Sequence, residues 1–241
     1  MKKTVLITGA NKSIGLETAR QLLTKDYFVF IGCRDEQKGK TAVEQLKAEG
    51  FNDVDILMLD VTDADSVIKA KIELENKIPH LDVLINNAGI LGTLPQNASS
   101  ISQENIRNVF DTNFFGVVQT TQAFIPLLKK SSAPRIVNVS SDLASLSNHT
   151  NPQWEFYNYK SLAYCSSKTA LNAFTVMLAY EFKDSNFKIN SVNPGYTDTD
   201  FNNHSGYKTV KEATAPIVKY ASIDDDGPTG KFFSDYGETP W

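Results

Sequence analysis

Short apolar runs alternate with helix-forming stretches along this chain, and this alternation constrains the fold more than any other feature. Continuous apolar strands joined by helices indicate a parallel sheet covered on both faces. The pattern therefore predicts an α/β protein with a doubly wound parallel sheet of about seven strands. The apolar runs lie at residues 5–7, 27–32, 56–59, 83–85, 136–139, 188–192 and 231–233, and the helical stretches at 14–23, 36–49, 66–78, 102–130 and 162–183.

The length fits a single domain, and the composition excludes several kinds of function. Of the 241 residues, 41% are hydrophobic and 22% are charged, as in ordinary globular proteins. The net charge of -4 argues against nucleic-acid binding, because that function needs a clustered basic excess. No apolar run approaches the roughly 20 residues that span a bilayer. We therefore expect one domain over 1–241, with neither a nucleic acid nor a membrane as partner.

The cysteines and histidines predict neither disulfides nor a metal site. Cys33 and Cys165 are too few for a disulfide framework, which favours reduced thiols in the cytoplasm. His80, His149 and His204 are scattered and lack the spacing of metal ligands.

A glycine-containing segment at 8–15 lies between the first predicted strand and the first predicted helix. Gly9 and Gly15 permit a tight turn and a close backbone approach, so that helix N-terminal amides can face a pyrophosphate. A plain structural turn is the alternative. The predicted cofactor contacts of this segment are Gly9, Asn11, Lys12, Ser13, Ile14 and Gly15.

The second strand ends in Cys33 and Arg34, where an acidic residue would bind a ribose hydroxyl and reject a 2′-phosphate. Arg34 is a planar, permanently charged donor that suits phosphate, and Lys12 can add a second positive charge. This favours NADP(H) over NAD(H), although Arg34 could instead be an ordinary surface charge.

Two further strand ends carry predicted cofactor residues. Asp60 and Val61 follow the third strand and can place a carboxylate and an apolar contact against an adenine ring. The segment 86–89 (Asn-Asn-Ala-Gly) follows the fourth strand, where small residues bring the backbone close to a ligand. Its paired amides can tie neighbouring strand ends together, and a simple turn is the alternative reading. Within it we expect Asn87, Ala88 and Gly89 to contact the cofactor.

Tyr164 and Lys168 are four residues apart in a predicted helix and therefore share one face. An adjacent ammonium lowers the pKa of a phenol, which makes the phenol a usable general acid. Ser140 and Ser141, at the end of the fifth strand, can supply a hydroxyl for a substrate oxygen. Tyr207 and Lys211 have the same spacing but no such serine before them, so we interpret that match as chance.

Taken in order, these motifs resemble the short-chain dehydrogenase/reductase family over essentially the whole chain, and in particular its NADPH-dependent carbonyl reductases. The resemblance implies a Rossmann fold in which about 1–140 binds the cofactor and about 141–241 carries catalysis and substrate binding. The motifs that carry the resemblance are 8–15, Asp60, 86–89, Asn113 to Gly116, 137–141, Tyr164 with Lys168, 194–195 and 227–232.

The resemblance also implies roles for individual residues. Tyr164 would donate a proton, Lys168 would lower its pKa and bind ribose, and Ser141 rather than Ser140 would orient the carbonyl. Asn113 would hold a water that links Lys168 to solvent. The residues implied at the nicotinamide carboxamide are Pro194, Gly195, Thr197 and Thr199.

Two departures from the family pattern concern the glycine loop and the region before Tyr164. The family's middle glycine of the first motif is Ser13, whose Cβ restricts the backbone. Ser141 and Tyr164 are 23 positions apart, which implies an insert at 148–161 that either lines the substrate entrance or covers a helical face used for dimerisation. The predicted substrate contacts, apart from Ser141, are Leu91, Leu143, Trp154, Tyr196 and Phe201.

The sequence thus predicts an enzyme that reduces an uncharged ketone or aldehyde to an alcohol with NADPH. One alternative is NADP-dependent oxidation of a secondary alcohol such as a hydroxysteroid. Another is a dinucleotide-sensing protein without chemistry, which would be expected to have lost Tyr164, Lys168 or Ser141. The oligomeric state is left open between a monomer and a homo-oligomer.

Overall fold

The computed structural model describes residues 2–241, which form one eight-stranded sheet in the order β3-β2-β1-β4-β5-β6-β7-β8. Neighbouring strands are parallel except for the antiparallel pair of β7 and β8. The order reverses between β1 and β4, so the loops at their carboxyl ends diverge and leave a crevice. The strands are β1 (Thr4–Thr8), β2 (Phe28–Cys33), β3 (Val54–Met58), β4 (Val83–Asn86), β5 (Arg135–Val139), β6 (Lys188–Val192), β7 (Phe232–Ser234) and β8 (Gly237–Glu238).

Helices cover both faces of the sheet because successive strand residues point to opposite sides. In β1, Val5 and Ile7 enter the core on one face, and Leu6 enters the core on the other. No helix within residues 2–241 is long and apolar enough to cross a membrane. The helices are α1 (Ser13–Leu23), α2 (Glu36–Ala48), α3 (Ala64–Lys77), α4 (Gln103–Phe110), α5 (Gly116–Leu128), α6 (Leu146–His149), α7 (Leu162–Glu181) and α8 (Val210–Ala221).

The predicted doubly wound fold is confirmed, and three local features differ from the sequence-based expectation. The long helical stretch at 102–130 is interrupted by a π-helical turn, Asp111–Phe115. Helix α8 lies outside the helical stretches that the apolar pattern predicts; it begins with a capping box between Thr209 and Glu212 and includes Pro216. The eighth strand, β8, has only two residues and is too short to show a periodic pattern.

Candidate active site

A cleft of about 920 Å³ opens at the carboxyl ends of the strands. It is lined by the segments that follow β1 to β6, as the topology predicts. The structure brings nearly all of the predicted site residues together there, with Asn113 and Trp154 as the exceptions. The predicted residues that line the cleft are Gly9, Asn11, Lys12, Ser13, Ile14, Gly15, Arg34, Asp60, Val61, Asn87, Ala88, Gly89, Leu91, Ser141, Leu143, Tyr164, Lys168, Pro194, Gly195, Tyr196, Thr197, Thr199 and Phe201.

The first loop needs glycine at two positions for different reasons. Gly9 has a φ of +63°, and a Cβ there would also approach the Cα of Ala88 to 3.0 Å. At Gly15, a Cβ would lie 2.7 Å from both Asn87 Nδ2 and the Gly9 carbonyl oxygen. The loop therefore packs backbone against backbone, with no room for side chains at these two positions.

Ser13, which replaces the family's middle glycine, adopts a φ of +49° and starts α1. A residue other than glycine is uncommon in this left-handed region, so the serine holds the turn that a glycine would form more easily. Among the residues that the structure describes, the N-cap residue Lys12 offers no side-chain hydrogen bond to the first turn of α1. The amides at this helix end therefore remain available to an acceptor from the cleft.

Strand-end amides tie β1, β4 and β5 together, as the sequence predicts. Asn87 Nδ2 donates to the carbonyl oxygens of Thr8 at 2.8 Å and Gly9 at 3.2 Å. The Thr8 hydroxyl oxygen in turn accepts from the backbone amides of Asn87 and Ala88. One strand over, Asn86 Nδ2 donates to Asn138 Oδ1 at 2.8 Å. These bonds hold the floor of the cleft rigidly.

The two predicted phosphate-binding cations differ in their surroundings. Arg34 lies exposed on the cleft wall. Lys12 instead forms an ion pair with Asp200 across the cleft, at 2.8 Å from Nζ to Oδ2. The expectation that Lys12 adds a free positive charge is therefore corrected, because Asp200 neutralises much of that charge. Asp60 accepts hydrogen bonds from the amide and hydroxyl of Thr62.

Three predicted catalytic side chains meet at the other end of the cleft. Tyr164 and Lys168 lie on one face of α7 and are only 8% and 5% exposed. The Ser141 side chain lies close enough to the Tyr164 phenol to act on its pKa, whereas the hydroxyl of Ser140 donates to Asn172 on α7 at 2.8 Å. Geometry therefore supplies the reason to prefer Ser141 over Ser140 that the residues alone did not give.

The protonation states at this end follow from burial. Burial raises the pKa of Tyr164, although the hydrogen bond with Ser141 acts in the opposite direction. Burial also lowers the pKa of Lys168 to about 8. The Lys168 ammonium lies 6.0 Å from the centre of the Tyr164 ring and donates to the Val139 carbonyl oxygen at 2.7 Å. The expectation that Lys168 lowers the Tyr164 pKa is thus not met in this arrangement, because desolvation outweighs the distant charge.

Asn113 lies behind the cleft rather than in its wall. It belongs to the π-helical turn and is fully buried. Its Oδ1 accepts from the amide of Ile90 at 2.8 Å, and its Nδ2 donates to the Ile90 carbonyl oxygen and to Ser167 on α7. The side chain therefore fixes the segment after β4 against α7, and a role in holding water stays a prediction.

The substrate end has aromatic walls, but Trp154 is not part of them. Its ring packs edge-on against His149 at 5.2 Å and Phe156 at 5.6 Å between ring centres, and Trp154 is not among the residues that line the cleft. A contact between Trp154 and substrate stays a prediction. The insert reaches the cleft through Phe156 and Tyr159 instead, which sequence reasoning missed. Both lie in the insert at 148–161, but spacing alone does not show which rings of this insert point into the cleft.

The second tyrosine–lysine match has no site geometry. Tyr207 is 64% exposed and precedes α8, while Lys211 lies in the first turn of that helix. The two residues therefore do not share a helical face, and neither lines the cleft. Its interpretation as a chance match agrees with the structure.

The chain belongs to the short chain dehydrogenase family, whose model matches residues 3–209. (+)-Neomenthol dehydrogenase of Capsicum annuum is 33% identical, over 95% of this chain and 94% of that relative. Among solved structures, salutaridine reductase from Papaver somniferum superposes with a TM-score of 0.85 at 30% identity, covering 97% of this chain and all of the other. NADPH-bound carbonyl reductase from chicken fatty liver gives a TM-score of 0.85 at 27% identity, covering 100% and 99%. The family resemblance inferred from the motifs is confirmed.

Proposed function

We propose that this protein reduces the carbonyl group of a ketone or aldehyde to an alcohol with NADPH. The observation that carries the proposal is the meeting of the Ser141 and Tyr164 hydroxyl groups, beside the Lys168 ammonium, at one end of a dinucleotide-sized cleft. Relatives and structural neighbours include salutaridine reductase and an NADPH-bound carbonyl reductase, which supports this reaction class.

The cofactor half of the cleft fits NADP(H). The backbone cradle at Gly9 and Gly15, together with the free amides at the start of α1, suits a pyrophosphate. Arg34 lies where a 2′-phosphate would be recognised, in place of the acid that selects NAD(H). On this proposal Thr197 and Thr199, which are both buried in the cleft wall, would face the nicotinamide carboxamide. When bound, the reduced nicotinamide supplies the hydride.

The chain's own residues would bind the carbonyl and move the proton. Ser141 would hold the carbonyl oxygen in place, and Tyr164 would give that oxygen its proton as hydride reaches the carbon. A raised pKa keeps the phenol protonated at neutral pH, which is the form that a proton donor requires. Lys168 would hold a ribose hydroxyl of the cofactor, and its charged form is populated below about pH 8.

We further propose a cytoplasmic location and a functional division of the domain near residue 140. Cys33 and Cys165 are both free thiols, which suits a reducing compartment. The segments after β1 to β4 line the cofactor end of the cleft, and those after β5 and β6 line the reacting end.

Purified protein assayed for NADPH consumption against ketones, quinones and aldehydes tests this function. Native protein should turn over at least one class, and Tyr164→Phe should lower kcat by roughly 100- to 10,000-fold, the range of general acid catalysis. Tyr207→Phe is the matched control and should retain native turnover. No turnover by native protein, or undiminished turnover by Tyr164→Phe, contradicts the proposal.

A further inference from the structure

Asp142 follows Ser141 directly, lines the cleft and has no part in the reaction proposed above. It starts the 3-10 turn Asp142–Ala144, which Ser141 caps by accepting from the amide of Leu143. Its Oδ1 accepts from the Tyr236 hydroxyl at 2.6 Å and the Ser234 hydroxyl at 3.3 Å. Since both donors belong to the β7–β8 hairpin, the hairpin holds the turn that carries Ser141.

The same hairpin holds the turn after β6 that carries Gly195. The Asn193 amide donates to the Phe233 carbonyl oxygen at 2.7 Å, and Asn193 Nδ2 donates to the Ser234 hydroxyl oxygen at 3.2 Å. Asn193 Oδ1 accepts from the Gly195 amide at 2.9 Å. Because Asn193 and Ser234 are buried, a continuous set of hydrogen bonds shielded from water links Asp142 to Gly195.

The carboxylate sets the direction of these hydrogen bonds. An ionised carboxylate only accepts, so the Ser234 hydroxyl donates to Asp142. Its oxygen is then left to accept from Asn193 and from the Thr239 hydroxyl, which lies 2.7 Å away. The Asn193 side chain also lies close enough to the carboxyl to lower the pKa of Asp142, against the effect of burial. A protonated carboxyl or an amide at position 142 would keep an oxygen that accepts these hydrogen bonds but would lose the negative charge. The bonds from Tyr236 and Ser234 would then no longer be charge-assisted, and the link between the two turns would weaken.

We propose that Asp142 is a positioning residue, whose ionised carboxylate aligns the Ser141 turn with the Pro194–Gly195 turn. The two turns would hold the substrate carbonyl and the nicotinamide, respectively, so Asp142 sets the distance between the reacting partners. This inference rests on the proposed function for the identity of those partners.

The contribution of the Asp142 carboxyl to fold stability distinguishes a positioning role from a merely structural one. Burial raises the pKa of Asp142, while hydrogen bonds from Tyr236, Ser234 and Asn193 oppose the shift. A carboxyl whose pKa is higher in the folded state contributes stability that is lost as pH rises through that folded pKa. At neutral pH the ionised group therefore costs stability, and its replacement by a neutral amide should not lower the melting temperature.

The test compares Asp142→Asn and Tyr236→Phe with native protein, using NADPH fluorescence titrations from mildly acidic to neutral pH and thermal melting. Asp226→Asn and Tyr180→Phe, at exposed positions away from the cleft, are the matched controls. Asp142→Asn should weaken NADPH binding roughly tenfold, the value of one charge-assisted hydrogen bond, and should melt no lower than native protein at neutral pH.

The pH dependence supplies the second readout. NADPH binding to native protein should weaken on acidification as Asp142 is protonated, and this dependence should be absent in Asp142→Asn. Tyr236→Phe removes a donor that stabilises the carboxylate, so NADPH binding to this variant should begin to weaken at a higher pH than in native protein. The other charged and titratable groups near the carboxylate are Tyr207, Tyr236 and the ion pair of Lys208 with Asp235. Burial raises the pKa of both tyrosines above its ordinary value, so neither phenol titrates in this range.

Three results would overturn the proposal. The first is an NADPH affinity of Asp142→Asn equal to that of native protein, and the second is a lower melting temperature for that variant. The third is that NADPH binding weakens on acidification in both variants as it does in native protein. Because binding is measured without turnover, this result is separable from the proposed function. If native protein binds NADPH but reduces no carbonyl compound, the proposed function fails while the binding data still decide the role of Asp142.

Discussion

The two ends of the cleft are held together by different kinds of contact. At the cofactor end, short loops are fixed by hydrogen bonds from the Asn87 side chain to main-chain carbonyl oxygens and by glycines such as Gly15 that tolerate no side chain. At the substrate end, long segments are held by edge-on ring contacts, as between Phe156 and Tyr196. The exposed ion pair of Lys12 with Asp200 joins the two ends.

This difference indicates at which end of the cleft the residues can change within a family that shares one cofactor. The framework at the cofactor end depends on a few amide and hydroxyl side chains that bind the main chain, so it preserves one binding geometry while most other residues change. Ring contacts and surface ion pairs are individually weak and easily replaced. We therefore expect substitutions at the cofactor end to change which nucleotide binds, and those at the substrate end to change which carbonyl compounds react.

The largest expected effect is on nucleotide choice. Arg34→Asp replaces an exposed phosphate donor by an acid that repels phosphate and accepts ribose hydroxyls, so the preference for NADPH over NADH should fall about 100-fold. The ratio of kcat/KM for the two nucleotides measures it. Arg107→Asp, exposed on α4 and outside the cleft, should leave the ratio unchanged. An unaltered ratio in Arg34→Asp would remove this residue from cofactor selection.

An intermediate effect is expected at the aromatic wall. Phe156→Ala removes the ring that reaches the cleft and touches both Trp154 and Tyr196. The kcat/KM for a bulky aryl ketone should fall roughly tenfold, whereas that for a small aldehyde should change by less than about threefold. Tyr157→Ala is the control on the same insert, since Tyr157 packs under Lys160 outside the cleft wall. Equal losses for both substrates would contradict a role in specificity.

The smallest effect concerns the ion pair that joins the two ends. Both side chains are more than half exposed, at 61% for Lys12 and 57% for Asp200, so the pair contributes little to the stability of the fold. Asp200→Asn frees Lys12 for the 2′-phosphate and should tighten NADPH binding up to about fivefold, with NADH binding unchanged. Titrations at low and high salt measure this, because added salt should erase the gain. Tighter binding of NADH as well would show that loop opening, not phosphate attraction, is responsible.

The cofactor end could be predicted from sequence because its signals are local. Gly9 and Gly15 follow the first strand directly, and the amide pair after the fourth strand has few roles other than tying strand ends. The fold was predictable for the same reason, since each strand and helix is a continuous pattern. The π-helical turn at Asp111–Phe115 was not, because a single extra residue per turn leaves the apolar periodicity nearly intact.

The substrate end was less predictable because its geometry depends on contacts between distant segments. Nothing in the residues near Trp154 indicates that His149 and Phe156 enclose its ring. Spacing correctly brought Tyr164 and Lys168 to one helical face, but it could not show how strongly burial would act on their pKa values. The partner of Lys12 lies 188 positions away in sequence, so it had no local signal.

The two-residue strand β8 determines how much unpaired backbone one edge of the sheet exposes. Unpaired strand edges can pair with another chain, and proteins commonly prevent this with short, charged edge strands. The antiparallel strand β8 covers the outer edge of β7, and its Glu238 forms an ion pair with Lys231 at 2.8 Å. At this edge little free backbone remains for another molecule to extend. The hairpin that supports Asp142 thereby also protects the protein from edge-to-edge aggregation at high concentration.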